Sequence, residues 1–140
     1  MKNFKTVLLV TLVLDILQLI PIFLATMGGN IKDQFISDFG IEGLANSVQG
    51  IAVLDIMLYV FTFIFLGVIV SVVYTLKLKT LEGLKSACFI LFIIHLFWTL
   101  PDFITLIIGG SAHPPIIIMI ISLVPVLGLY YVSQRGELSA

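Results

Sequence analysis

Apolar residues dominate four long stretches of the chain, about Thr6 to Met27, Ile51 to Leu76, Leu84 to Ile108 and Pro115 to Val132, with charges and helix breakers at their ends. A bilayer core roughly 30 Å thick is crossed by about 20 helical residues at about 1.5 Å each, so every stretch is long enough to span. A helix also satisfies its own backbone polar groups in hydrocarbon. The pattern predicts an all-α integral membrane four-helix bundle. It forms a single transmembrane domain over residues 1–140, with helices at about 6–27, 51–76, 84–108 and 115–132.

The connections differ in character. Residues 28–50 make the sizeable loop, in which Phe35, Ile36, Phe39 and Leu44 alternate with Asp33, Asp38 and Glu42. Spacings near three and four predict a short amphipathic helix on the membrane surface, capping the bundle. Lys77 to Lys85 reads as a tight basic turn. Gly109-Gly110-Ser111-Ala112-His113-Pro114-Pro115 is flexible and then stiff, its prolines starting the fourth helix.

Charge orients this topology. Lys2, Lys5, Lys77, Lys79, Lys85 and Arg135 fall at one end and Lys32 alone at the other. The positive-inside rule then predicts a multi-pass protein of the cell membrane with both termini cytoplasmic. Tyr74, Tyr130 and Tyr131 fall at the inner interface and Phe103 near the outer one. The first segment reads as a retained helix rather than a cleaved signal, because Asp15 and Gln18 interrupt it and Ala25-Thr26-Met27 is a poor cleavage site.

Composition agrees: 60% hydrophobic residues, 11% charged and a mean hydropathy of +1.22 lie outside the soluble globular range. A net charge of -1 gives no basis for nucleic-acid binding, which needs a concentrated basic surface. Cys88 is the only cysteine, which excludes an intrachain disulfide or a Cys-x-x-Cys redox centre. There is no glycine-rich phosphate loop, zinc-ligand cluster or nucleophile elbow, so no metal or cofactor is expected.

The chemistry lies in polar residues inside the spans. Asp15 and His95 each sit ten residues beyond a lysine, Lys5 and Lys85, which places both about 15 Å deep, near the bilayer midplane. Ionisable groups at that depth are costly and face a partner or a cavity. His95, Trp98, Thr99 and Asp102 follow the i, i+3, i+4, i+7 pattern and share a helix face. Asp15 and Gln18 share another, Asp55, Tyr59 and Thr62 a third, and Ser122 lies level with Gln18 and Trp98. The expected site is a polar pocket in the outer half of the bundle, formed by Asp15, Gln18, His95, Trp98 and Thr99 and rimmed by Asp55, Tyr59 and Asp102.

The inner half is nearly free of polar residues, which predicts a dry plug and argues against a constitutive channel. A cavity open to the outside or to the outer leaflet fits better. Pro125 and Pro21 each free a carbonyl, of Ile121 and Leu17, that a ligand beside a cavity can use. Gly67 and Ser71, four apart, read as a close helix contact. If their helices are neighbours, Asp15 and His95 can join as interhelical glue, as a proton-linked or ligand-binding pair, or as acid and base.

In layout the chain resembles the DoxX-like group of small bacterial four-helix membrane proteins: similar length, cytoplasmic termini and a longer first external loop. The resemblance covers most of the chain, rests on hydropathy and carries no site assignments. Small multidrug-resistance transporters also have four helices with an acid in the first. Here the acid stands in Val-Leu-Asp-Ile-Leu-Gln, the external loop is longer, and a midplane histidine is added.

Three functions follow as expectations. The first is a non-enzymatic membrane protein binding a small amphipathic molecule or coupling to protons. The second is a membrane enzyme acting on a lipid-like substrate, with His95 or Asp102 as acid or base and Trp98 as a hydrophobic wall. The third is an accessory subunit, self-associating or bound to a membrane partner.

Overall fold

The computed structural model of the protein describes residues 3–38, 43–110 and 113–138. Among them are five α-helices: α1 (Phe4–Thr26), α2 (Asn30–Asp38), α3 (Val48–Thr75), α4 (Leu81–Ile107) and α5 (Ile116–Arg135). Four of these, α1, α3, α4 and α5, are long and apolar enough to cross a membrane, and they fall where the hydropathy pattern places them.

Local chemistry sets their ends. Asn3, Ser47 and Thr80 cap α1, α3 and α4 through side-chain oxygens that accept from Lys5 N, Gly50 N and Gly83 N, each satisfying an otherwise orphaned helix-start donor. At the end of α4, Gly109 takes a φ of +75°, a left-handed conformation that a glycine adopts without Cβ strain. Gly110 N then returns to Thr105 O at 2.9 Å.

The long helices form a closed ring in which α1 packs on α3, α3 on α4, α4 on α5 and α5 on α1. The α1/α3 and α4/α5 pairs are the closest, and α3 and α4, though joined by a short turn, make the sparsest contact. Asn3 and Glu137 bridge, so both termini lie at one end of the bundle. The Asp15 and His95 helices are not neighbours in this ring: α1 and α4 face each other across it. One correction concerns the small residues. Gly67 and Ser71 are exposed, and a Cβ at Gly67 would meet nothing within 4 Å, whereas one at Gly128 would lie 3.1 Å from Val7 Cγ1. Gly128 therefore marks a local close approach of α5 to α1.

Two apolar clusters fill the bundle above and below its middle. At the termini end, Phe4, Val7, Leu8, Val72, Leu84, Cys88, Leu91, Leu129 and Val132 are buried together, which is the dry plug expected from the sequence. At the other end Ala25, Leu54 and Leu58 pack with Ile22 and with Ile31, Phe35 and Ile36 from α2. Helix α2 thus covers the ends of α1 and α3, and Lys32 Nζ holds it to Asp55 Oδ1 of α3 at 2.6 Å. Phe39 and Glu42, which belonged to the same predicted pattern, lie outside the described residues, as does Lys2.

Outside the ring the helices are greasy. Only 17 to 33% of the apolar windows of the four long helices is buried within the bundle, so most of their apolar surface needs lipid to remove it from water.

Candidate functional site

Between the two apolar clusters lies a cleft lined by all four long helices, with polar residues from α1, α4 and α5. Helix α1 supplies Asp15 and Gln18, and α4 supplies His95, Trp98 and Thr99. Helix α5 adds Ser122 and Pro125, and α3 closes the wall with Ile64, Phe65 and Val68, beside Ile94 of α4. Together they bound a narrow cleft that leaves about 20 Å³ to the centre of a water-sized group, room for about one such group.

Asp15 and His95 meet across the ring. Asp15 is 2% exposed and His95 8%, and Nε2 of the ring lies 3.1 Å from Asp15 Oδ1. The other ring nitrogen, Nδ1, is 2.7 Å from the Leu91 carbonyl. A carbonyl only accepts, so Nδ1–H is the donor there and the tautomer is fixed. A neutral ring with that tautomer offers only a lone pair at Nε2. The contact to Asp15 therefore holds one proton between oxygen and nitrogen, as carboxylic acid facing imidazole or as carboxylate facing imidazolium. Either way the pair is neutral as a unit, the form a low-dielectric interior tolerates best.

The pair does not use all its polar capacity. Asp15 Oδ2 is buried without a hydrogen-bond partner, and so is the hydroxyl of Thr11, one helical turn away on the same face. Thr11 is fully buried and stands out among its kind. Thr62, Thr75, Thr99 and Thr105 each donate their hydroxyl to the carbonyl four residues earlier. Buried polar atoms are seldom left unmet, because each costs about 1–3 kcal/mol.

Trp98 forms one wall of the cleft. Its ring is held edge-on by Phe65 at 4.5 Å and Phe61 at 5.4 Å between ring centres, a geometry favoured by the ring quadrupoles. These ring contacts join α3 to α4 beside the cleft.

All five residues expected to form the pocket line this one cleft, and the rim residues do not. Asp55 is paired with Lys32 at the α2 end, Tyr59 is 53% exposed on the outside of α3, and Asp102 lies within Coulombic reach of His113. Asp102 and His95 therefore do not assemble as an acid–base couple in the cleft. Of the two flagged prolines, Pro125 is buried in the cleft wall and Pro21 is exposed. Thr11 escaped the sequence reading because a lone threonine in an apolar run looks like an ordinary helix residue. The signal for it was its place one turn before Asp15. Phe61 and Phe65 carry no such signal among eleven phenylalanines.

Among the described residues no three His, Cys, Asp or Glu side chains gather to hold a metal ion. The fold and the cleft define a small multi-pass membrane protein with a polar centre. No protein-family model, curated protein or solved structure matches the chain.

Proposed function

We propose that the protein resides in the cell membrane with both termini cytoplasmic and binds a small amphipathic molecule in the central cleft, beside the proton that Asp15 and His95 share. The observation that carries this reading is the buried, unmet Oδ2 of Asp15, a residue that lines a cleft built by four helices. A carboxyl group saturated by its own protein would serve structure alone. This one keeps an acceptor in reserve at a place sealed by apolar packing above and below, where a ligand's polar group meets little competition from water.

The test is retention of a small molecule. Purified protein is exposed to a membrane lipid extract, washed and analysed by native mass spectrometry. The wild type retains a bound species, while His95→Ala loses it and Asp15→Asn alters its retention, with helicity preserved in both variants. Loss of folding in both, without any retained species in the wild type, would reduce the pair to interhelical glue.

A further inference from the structure

Resting on that reading, we infer that the cleft is entered sideways from the lipid, through the seam between α3 and α4, and accepts the hydroxyl head of a single-chain amphiphile onto Asp15. The route follows from what closes the other directions. Towards the termini, Leu8, Cys88, Leu91 and Leu129 are all at most 2% exposed, and towards α2 so are Ala25 and Met119. Yet two residues that line the cleft face outward: Ile64 of α3 is 44% exposed and Ile94 of α4 is 39% exposed. A side chain that both lines a cavity and meets lipid marks its mouth, and this mouth lies on the sparsest contact of the ring.

Size and charge select the head. The cleft leaves room for about one water-sized polar group, with Ile64, Ile94, Phe65 and Trp98 around it. A hydroxyl fits that room, and its alkyl chain lies outward in the lipid, against Ile64 and Ile94. The Asp15–His95 pair is neutral in either proton arrangement, and its unmet atom Oδ2 accepts in both. A neutral donor therefore completes it. An ammonium would bring an unpaired charge to mid-bilayer, and a carboxylate would face another carboxyl oxygen.

Trp98, the only tryptophan, reports occupancy directly. Protein in nanodiscs is titrated with an omega-bromo-octanol, with its methyl ether and with aqueous acrylamide while Trp98 emission is followed. The alcohol should quench saturably at a membrane mole fraction about tenfold below the ether, the ratio that one hydrogen bond to a carboxyl group supports. Phenylalanines at the mouth, Ile64→Phe with Ile94→Phe, should remove the saturable phase, and acrylamide should quench weakly. Asp15→Leu should erase the alcohol's advantage; should that variant not fold, the paired mouth variant decides. Equal saturable quenching by alcohol and ether would overturn the hydroxyl head and leave an amphiphile site, whereas no saturable quenching by either would overturn the site as well. Saturable alcohol quenching that survives the mouth substitutions, together with strong acrylamide quenching, would overturn only the lateral route and leave the pocket reading intact.

Discussion

Substituting Asp15 in two ways separates a shared proton from mere packing. With His95 Nδ1–H committed to the Leu91 carbonyl at 2.7 Å, the neutral ring presents an acceptor nitrogen 3.1 Å from Asp15 Oδ1. An asparagine amide at that place donates N–H to the nitrogen and keeps an accepting oxygen. Asp15→Asn therefore preserves the cross-bundle bond and should cost under about 1 kcal/mol, the usual scale of an interhelical bond in a membrane. Asp15→Ala leaves Nε2 without its partner at a site 2% exposed, adding an orphaned acceptor to a small void, for a cost of about 2 kcal/mol. His95→Ala strands both carboxyl oxygens and removes a ring, and should be worst at about 3 kcal/mol, more than a hundredfold in the folding equilibrium. Reversible unfolding in mixed micelles by SDS titration, read by helicity and by Trp98 emission, measures all three. The reasoning fails if asparagine is as damaging as alanine, since the ring nitrogen would then not be the acceptor. It fails equally if His95→Ala unfolds within about 0.5 kcal/mol of the wild type, because a stranded buried carboxyl group must cost more than that.

Thr11→Val should raise stability by about 1 kcal/mol in the same titration, because it replaces a fully buried hydroxyl without a partner by a methyl group of similar shape; a loss of similar size would show that the hydroxyl is satisfied in the membrane. Gly128→Val should destabilise by about 1–3 kcal/mol through overpacking against Val7, and Val7→Ala should relieve part of it, whereas Gly67→Ala on the open face should be neutral or slightly stabilising. Asp55→Asn should speed hydrogen exchange in α2 by freeing Lys32, with under about 1 kcal/mol lost overall for so exposed a pair; unchanged exchange would mean that apolar packing alone holds α2. Cysteines placed singly at Lys77 and at Lys32 should label from opposite sides of intact cells with a membrane-impermeant maleimide, Lys32 from outside, while the buried Cys88 stays silent.

The spans were legible because their signal is collective: about 20 consecutive apolar residues leave no other state for the chain in a bilayer. Depth was legible for the same reason, since counting from Lys5 and Lys85 put Asp15 and His95 at one level, and the structure bonds them. Ring order was not. Hydropathy shows that α1 and α4 span but carries little about which neighbours they choose, because lipid-facing and helix-facing positions are alike apolar here. Asp55, Tyr59 and Thr62 illustrate this on α3: their i, i+4, i+7 spacing places them on one face, yet Thr62 is buried and Tyr59 exposed. A shared helix face is wide enough to straddle an interface, so periodicity alone did not tell rim from surface. The same blindness made Gly67 and Ser71 look like a contact that Gly128 makes instead.

The position of Asp15 opposite His95 also bears on whether the pair is only glue. A bond between neighbouring helices staples a seam, and many residues along a seam can do that. A bond across the ring occupies the middle of the bundle, a place that leucines would fill with no desolvation cost. Choosing a carboxyl group and an imidazole there is expensive, and the expense is least when every lone pair is met. In this protein it is not: the ring is held at both nitrogens, while the carboxyl group keeps one oxygen unmet beside an unmet hydroxyl. The anchored partner is the histidine and the open one is the aspartate, so the half of the pair that presents unused capacity is the half that accepts hydrogen bonds. Structure alone asks for the opposite, a saturated carboxyl group. The arrangement fits a site that holds its proton in place and keeps an acceptor for something else.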